Sequence, residues 1–409
     1  MREYFYKSAN VSYYAESDSY FKNEEQLISV DEDKEFNLVD LQKLVQQELN
    51  SILHTKFDNI VLLAGAGASV VVENDGINNS FGKTVAMIAR DVFKQLNERS
   101  DIYSLVQLSK IIDFGNITKK ITDDNNGETE ILSENFNLED FLSSLQHYAP
   151  YVKKGKVKYE KSLNTILEII KKNTDYSYDR NKLKHGAILN LLIKKIKSPN
   201  KLSVVTTNYD TLFEEAGANL NYIVFDGFNF VEEPKFESDI FDWNLIREVP
   251  IMKTSELEYR DKVFNLIKIH GSLTWERGND GNIYRKKKDA INNVNNTVMI
   301  FPSSDKYAQS YQEPYFELFT KFQELLKKQN TLLITTGFSF SDNHISKMIT
   351  QAIKNNSSLT VVVSDFNINQ QSDNWEEITH LMEEHNPIVF LKATLNDGLT
   401  EYLGGKYAD

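Results

Sequence analysis

The sequence predicts an α/β protein built on a doubly wound, mostly parallel sheet. Short apolar runs with the length of buried strands alternate with segments whose apolar residues keep helical spacing. Polar, sharply turned sequences follow five of these runs. At 409 residues the chain is too long for one simple core, so two or three lobes are expected. The predicted strands are residues 60–64, 201–207, 263–269, 298–301, 331–336, 359–363 and 388–391.

Composition is that of a soluble globular protein, with 41% apolar and 26% charged residues. No apolar run approaches the roughly 20 residues that a membrane helix needs, so no membrane association is expected. The first residues lack the apolar core of a signal peptide. The sequence contains no cysteine, which excludes disulfides and thiolate metal sites. We therefore expect a cytoplasmic protein.

The charge balance argues against a nucleic-acid partner. Lys and Arg number 46 against 59 Asp and Glu, which gives a net charge of −13. Such a surface repels phosphate backbones, and direct binding of nucleic acid over a large face is not expected. A basic run at 285–288 is interpreted as a solvated loop.

Three segments are predicted. Residues 1–57 form an N-terminal aromatic and helical extension that packs on the body or on a neighbouring subunit. Residues 58–96 and 198–409 form the sheet-containing body, whose first helix spans 80–96. Residues 97–197 form a helical insertion, within which the polar stretch 122–137 is predicted to be a mobile surface loop.

The first strand runs into the stretch that organises the chain, NIVLLAGAGASV at 59–70. Gly65 and Gly67 allow a tight turn and let the backbone approach a ligand without a Cβ in the way. If a helix follows, its unpaired N–H groups favour a phosphate over the turn. By itself this glycine pair is also typical of an ordinary strand-to-helix turn.

Four more strands end in polar sequences: TNYD at 207–210, HGS at 270–272, GFSFSD at 337–342 and SDFN at 364–367. Ligands of open α/β sheets bind at the carboxyl ends of the strands. Because five such ends meet at one edge, together they predict a ligand site there.

The segments GAGAS, TTNYDTL, KIHGS and GFSFSDNHI, in this order, resemble the sirtuin-like NAD-binding domain of bacterial antiphage defence proteins. The resemblance covers residues 59–367 and implies a Rossmann-like fold that binds NAD+. Many members of this branch hydrolyse NAD+ to nicotinamide and ADP-ribose. Members of similar length occur beside a HerA-type hexameric ATPase, so the resemblance also implies such a partner. Because an enzyme of this kind is toxic when always active, we expect a homo-oligomer gated by assembly.

Two departures from the wider family matter. Sirtuin deacylases carry four cysteines that hold a structural zinc, whereas this chain has none. The resemblance is therefore to the zinc-free, NAD-hydrolysing branch, and no metal is expected. Where deacylases have an Ile-Pro-Asp-Phe-Arg stretch, this chain reads GINNSF at 76–81, so contacts of that loop are not carried over.

Three residues are the candidate catalytic groups. Asn208 can hold a water or a ribose hydroxyl without changing charge, although a turn-forming role also fits. His270 has a near-neutral ordinary pKa and can accept a proton from ribose or water. The resemblance implies that Asp210 accepts a hydrogen bond from the nicotinamide carboxamide, and the alternative is an N-cap of the next helix.

The other predicted contacts belong to NAD+ binding. Ser69, Ser339 and the N–H groups of residues 65–67 are expected to hold the pyrophosphate. Asp365 or Asn367 is expected to meet the adenosine ribose. The full predicted binding set is Gly65, Ala66, Gly67, Ala68, Ser69, Thr207, Gly271, Ser272, Gly337, Phe338, Ser339, Asp365 and Asn367. His344 is predicted to be a packing or surface residue. Ser341 or Asp342 is predicted to cap the helix that follows them.

The leading hypothesis is an NAD+ glycohydrolase of antiphage defence. A non-catalytic NAD or ADP-ribose-binding module carries the same motifs and is the main alternative. The missing cysteines disfavour a protein deacylase. A hydride-transferring dehydrogenase is disfavoured further, because no acidic residue follows a second strand soon after the glycines.

Overall fold

The computed structural model describes residues 2–29, 35–73, 76–78, 80–122, 128–133, 135–248, 257–290, 297–299 and 313–404. The strands, in chain order, are β1 Glu3–Lys7, β2 Ser12–Glu16, β3 Ser19–Lys22, β4 Glu25–Gln26, β5 Asn59–Ala64, β6 Val72–Glu73, β7 Gly76–Ile77, β8 Thr118–Thr122, β9 Glu128–Leu132, β10 Leu202–Thr206, β11 Ile223–Phe225, β12 Ile246–Glu248, β13 Leu257–Tyr259, β14 Val263–Lys268, β15 Gly271–Arg277, β16 Ile283–Arg285, β17 Thr297–Met299, β18 Thr331–Thr336, β19 Leu359–Asp365 and β20 Ile388–Lys392.

The α-helices are α1 Leu38–Leu53, α2 Val85–Asn97, α3 Leu105–Ile111, α4 Leu138–Tyr148, α5 Lys156–Thr174, α6 His185–Ile193, α7 Leu212–Asn219, α8 Tyr315–Lys327, α9 Asn343–Asn355, α10 Asp373–Glu383 and α11 Leu399–Tyr402. Among the described helices, none combines the length and the apolarity that crossing a membrane requires.

One sheet of 11 strands forms the body, in the order β11-β14-β10-β5-β18-β19-β20-β1-β2-β3-β4. The seven strands from β11 to β20 run parallel. Alternate residues of β5 enter two different cores: Val61 and Leu63 pack with α8, α9 and α10, whereas Ile60 and Leu62 pack with α1, α6 and α7. Helices thus cover both faces, and the predicted doubly wound α/β fold is confirmed.

The N-terminal residues extend the same sheet. β1 pairs antiparallel with β20, and β2, β3 and β4 continue the sheet as an antiparallel meander. Tyr6 and Tyr13 are buried in the same core as the apolar residues of α1. The aromatic residues near the N-terminus therefore pack as parts of strands. The helical periodicity found in residues 1–57 did not indicate these strands.

A helical cluster stands beside the sheet. Helices α2, α3, α4 and α5 share one core, which also takes in Tyr209 and Leu273 from the body. Helix α2 begins at Val85, five residues later than predicted, because Thr84 caps it by accepting a hydrogen bond from the Met87 N–H at 3.3 Å. Although predicted as part of the body, α2 packs on α5 and belongs to this cluster.

Part of the stretch 122–137, predicted to be a mobile surface loop, forms a strand. Strands β8 and β9 pair antiparallel over five residues each, from Thr118↔Leu132 to Thr122↔Glu128. Residues 123–127 between them lie outside the described residues. The prediction of a loop was wrong for 128–132, where the β-branched residues Thr129 and Ile131 suit a strand. The predicted strand 298–301 is β17, with residues 300–301 outside the described part.

The burial of His185, at the start of α6, predicts how the stability of the protein depends on pH. Its ring is fully buried against Phe213 and Tyr178, and neither ring nitrogen has a hydrogen-bond partner. Burial lowers the pKa of His185 to about 4, although the negative charge of Asp210 opposes this shift. The unfolded chain binds a proton at this histidine more tightly than the folded chain does. The contribution of His185 to the free energy of unfolding is therefore fully present above pH 6.5 and is lost as the pH falls towards 4.

We expect wild-type protein to lose about 2 kcal/mol through this group between pH 7 and pH 5, at about 1.4 kcal/mol per pH unit below the unfolded pKa. The variant His185→Leu should lack that loss. Urea unfolding of both proteins at the two pH values measures the difference, with the exposed His380→Leu as control. Equal pH-dependence in wild type and His185→Leu would refute the assignment.

Candidate active site

A cavity of about 510 Å³ lies at the carboxyl ends of the central strands. The loops after β5, β10, β14 and β18 each contribute to its lining, as expected from the parallel sheet. A separate wall comes from the helical cluster, through Val85 and Ile88 of α2, Asp140 of α4 and Thr174 of α5. The site therefore lies between the body and the cluster.

Three glycines bring the loops after β5 and β18 into backbone contact. A Cβ on Gly65 would lie 2.5 Å from the Gly337 carbonyl oxygen, and one on Gly67 would lie 2.7 Å from the Gly337 Cα. Gly337 has a φ of +59°, and a Cβ there would lie 2.2 Å from the Ala68 nitrogen. The glycines thus allow one loop to approach the other, and the predicted approach of a ligand to this turn stays a prediction.

The turn after β5 also differs from the predicted phosphate-binding helix start. A 3-10 helix of four residues, Ala66–Ser69, follows β5. The N–H groups of Gly65 and Gly67 donate to the carbonyls of Thr336 and Gly337, both at 3.0 Å. These two donors are engaged within the protein. Ala66 and Ser69 line the cavity, and their predicted contact with pyrophosphate stays a prediction.

Ser69 joins two of the candidate catalytic residues. The Asn208 amide nitrogen donates to the Ser69 hydroxyl at 3.0 Å, and that hydroxyl donates to Oδ2 of Asp210 at 2.8 Å. Oδ1 of Asp210 accepts from the Leu212 N–H at 3.2 Å, so the Asp210 side chain also holds the turn into α7. Asp210 is not the N-cap of α7, because that position is Thr211. The network fixes which end of the Asn208 amide carries the nitrogen.

A buried lysine, Lys268, binds the backbone of the loop after β10. Lys268 is 1% exposed, and its ammonium donates to the Asp210 carbonyl and, at 2.9 Å, to the Glu214 carboxylate. Burial raises the pKa of Glu214, and the neighbouring Lys268 opposes this shift. A buried ammonium needs such partners, so Lys268 ties the loop after β10 to β14 and α7. Sequence reasoning missed this residue because an isolated lysine in a strand has no distinguishing pattern.

His270 follows β14 and lies against the loop after β18. Its Nε2 is 3.2 Å from Oδ2 of Asp342, and both side chains are more than nine-tenths buried. Oδ1 of Asp342 accepts from the N–H groups of His344 and Ile345 at 2.9 and 3.2 Å, which caps α9 as the sequence predicted for Ser341 or Asp342. The capping pattern was visible in the sequence, whereas the pairing with His270 was not.

The cluster wall brings a lysine that the sequence did not single out. Lys83 precedes α2, and its ammonium contacts the Asp91 carboxylate and the Asn173 side-chain oxygen, both at 2.6 Å. Its N–H donates to the Tyr176 hydroxyl at 2.8 Å. Both Lys83 and Tyr176 line the cavity, and these contacts attach the start of α2 to the end of α5. Their positions follow from helix packing, which leaves no local motif.

The predicted site residues fall into two groups. Those that line the cavity are Gly65, Ala66, Ser69, Thr207, Asn208, Asp210, His270, Gly337, Phe338 and Ser339. Gly67, Ala68, Gly271, Ser272, Asp365 and Asn367 are not among its described lining residues. Ala68 and Ser272 are buried, and Gly271 begins β15 with a φ of +89°. His344, predicted to be a packing or surface residue, lines the cavity.

Asp365 and Asn367 form a turn of their own after β19. Oδ1 of Asp365 accepts from the Asn367 N–H at 3.0 Å and from the Gln370 side chain at 3.1 Å. Burial raises the pKa of Asp365 to about 6, an effect that these hydrogen bonds oppose. The predicted contact of either residue with the adenosine ribose stays a prediction.

Residues 202–382 match the family model described as the SIR2-like domain. This match supports a sirtuin-like family and indicates a function related to NAD. It includes the loops with Asn208, His270 and Gly337, whereas the glycine turn after β5 precedes it. No curated protein matches the chain. Within the described residues, no group of three or more His, Cys, Asp or Glu side chains is placed to hold a metal ion.

The contact between the two loops predicts the effect of adding a Cβ at Gly337. Gly337→Ala should lower stability by about 1–3 kcal/mol more than Gly281→Ala, because overpacking adds to the strain of a positive φ. Gly281 is the matched control, since its φ is +84° and a Cβ there meets nothing within 4 Å. Thermal unfolding of both variants measures the difference. Equal losses would show that the two loops separate without cost.

Proposed function

We propose that this protein is an NAD+ glycohydrolase that cleaves NAD+ to nicotinamide and ADP-ribose. The observation that carries the proposal is the presence of Asn208 and His270 in one cavity. The SIR2-like match over residues 202–382 supports NAD+ as the substrate. A volume of about 510 Å³ lies within the range of about 300–1,000 Å³ typical of small-molecule sites.

The reaction breaks the bond between nicotinamide and C1′ of the ribose. The bonding electron pair leaves with the nicotinamide, and positive charge develops on the ribose. A water attacks C1′ and gives up a proton, which yields ADP-ribose. The protein must therefore orient the water and receive one proton.

Asn208 and His270 suit these two tasks. Since Ser69 accepts from the Asn208 amide nitrogen, the amide oxygen is the end that would orient the water or a ribose hydroxyl. His270 would accept the proton, and general-base assistance of this kind contributes about 10²–10⁴-fold to the rate. Asp210, held by Ser69 and Leu212, would face the nicotinamide carboxamide.

The main alternative is a module that binds NAD+ or ADP-ribose without cleaving it. It would use the same loops, so only an assay distinguishes the two. A deacylase is a weaker candidate, because the chain has no cysteine for the structural zinc of that class.

The deciding measurement is the release of nicotinamide from NAD+ by the purified protein. His270→Ala and Asn208→Ala should each reduce turnover at least about 100-fold, because each removes a group that acts on the water. The exposed His380→Ala and Asn355→Ala are matched controls that should keep wild-type activity. Binding of NAD+ without release of nicotinamide would favour the non-catalytic module. Full activity in both site variants would refute the assigned roles.

We further propose that the activity serves antiphage defence by depleting cytoplasmic NAD+ and is gated by assembly. The resemblance to defence proteins that occur beside a HerA-type hexameric ATPase supports a homo-oligomer with such a partner. The helical cluster supplies part of the cavity wall, so assembly on the cluster would reach the site directly.

Gating predicts that activity depends on the assembly state. Light scattering and the nicotinamide assay, run with and without a co-encoded ATPase, should show that activity rises with the larger complex. A monomer with full activity that the ATPase leaves unchanged would refute the gating.

A further inference from the structure

We propose that Asp342 is a positioning residue that sets the tautomer of His270 and stabilises its protonated form. This inference rests on the proposed hydrolase function, because it concerns the group that accepts the proton. Sequence reasoning gave Asp342 only the role of a helix cap. The structure shows that its carboxylate has two separate sets of contacts.

The two oxygens of Asp342 face different partners. Oδ1 accepts the N–H groups of His344 and Ile345 at the start of α9. Oδ2 lies 3.2 Å from Nε2 of His270. Because the cap holds the carboxylate in one orientation, Oδ2 is fixed relative to the imidazole. The capping hydrogen bonds at the start of α9 thus fix the position of the negative charge.

Burial makes this contact consequential. His270 is 4% exposed and Asp342 is 8% exposed, so water screens the pair weakly. A carboxylate beside Nε2 favours the tautomer with the proton on that nitrogen. Nδ1 is then the nitrogen that takes a proton from the attacking water. The resulting imidazolium gains a buried ion pair with Asp342, as in the Ser-His-Asp arrangement of hydrolases.

The substitution Asp342→Asn separates the two roles. Asparagine caps helices as well as aspartate does, so α9 should keep its start. Because the amide oxygen must accept the two capping N–H groups, the amide nitrogen would face Nε2. This removes the ion pair and favours the tautomer with the proton on Nδ1. Asp342→Ser also keeps a capping side chain but is too short to reach His270. Asn37→Ala, which removes the cap of α1 outside the cavity, is the control for the loss of a cap alone.

We expect both Asp342 variants to lower kcat for NAD+ hydrolysis about 100-fold or more, with KM changed by less than about threefold. Their melting temperatures should stay close to that of wild type. Asn37→Ala should lower the melting temperature and leave kcat unchanged. Wild-type kcat in Asp342→Asn, together with an inactive His270→Gln, would overturn the proposal.

A second readout does not depend on turnover. The NMR shifts of the two His270 ring nitrogens, identified by their absence in His270→Gln, should place the ring proton on Nε2 in wild type and on Nδ1 in Asp342→Asn. The other ionisable groups that line the cavity are Lys83, Asp140, Asp210, His344 and Lys347, with Tyr176 and Tyr209. All of these remain in both proteins, so they cancel in the comparison.

The two readouts separate the two proposals. If wild-type protein releases no nicotinamide, the hydrolase function fails, and the nitrogen shifts still decide whether Asp342 sets the His270 tautomer. The same tautomer in Asp342→Asn and in wild type would overturn the positioning role even in an active enzyme.

Discussion

The structure of the site depends on the close contact between two loops at three glycines. Gly65 and Gly67 after β5 approach Gly337 after β18 so closely that no Cβ fits between them. The hydrogen bond from the Gly67 N–H to the Gly337 carbonyl, at 3.0 Å, joins the loops where the two strands end. Because β5 and β18 are neighbours in the sheet, this contact continues their pairing beyond the strands. It thereby sets where Ser69 lies on one side and where the segment leading to Asp342 begins on the other.

Each of these two loops orients one candidate catalytic residue. The Ser69 hydroxyl accepts from the Asn208 amide nitrogen and donates to the Asp210 carboxylate. Lys268, inside the body, donates to the Asp210 backbone carbonyl. On the opposite loop, Asp342 faces His270 while it caps α9. The candidate water-orienting amide and the candidate base are therefore both fixed by buried polar contacts. Such preorganisation avoids the reorganisation that mobile side chains would require during the reaction.

The helical cluster covers the carboxyl edge of the sheet. Lys83 and Tyr176 connect α2 with the end of α5 and stand in the cavity wall. Lys288 reaches the same segment, contacting the Asp175 carboxylate at 2.8 Å and the Tyr176 carbonyl at 3.1 Å. A change in the packing of the cluster would therefore alter the shape of the cavity. This arrangement supports the proposal that the activity depends on assembly.

The parallel α/β body and the polar loops at its carboxyl edge could be predicted from the sequence. Buried strands are recognisable because they are short apolar runs, and parallel strands bring their polar carboxyl ends together. Asn208 and His270 could be selected because each directly follows such a run. Four features became visible only in the folded chain: the N-terminal strands, the cluster wall, Lys268 and the pairing of Asp342 with His270. These features arise from contacts between residues far apart in the chain, such as 270 and 342, and local periodicity carries no information about which distant side chains meet.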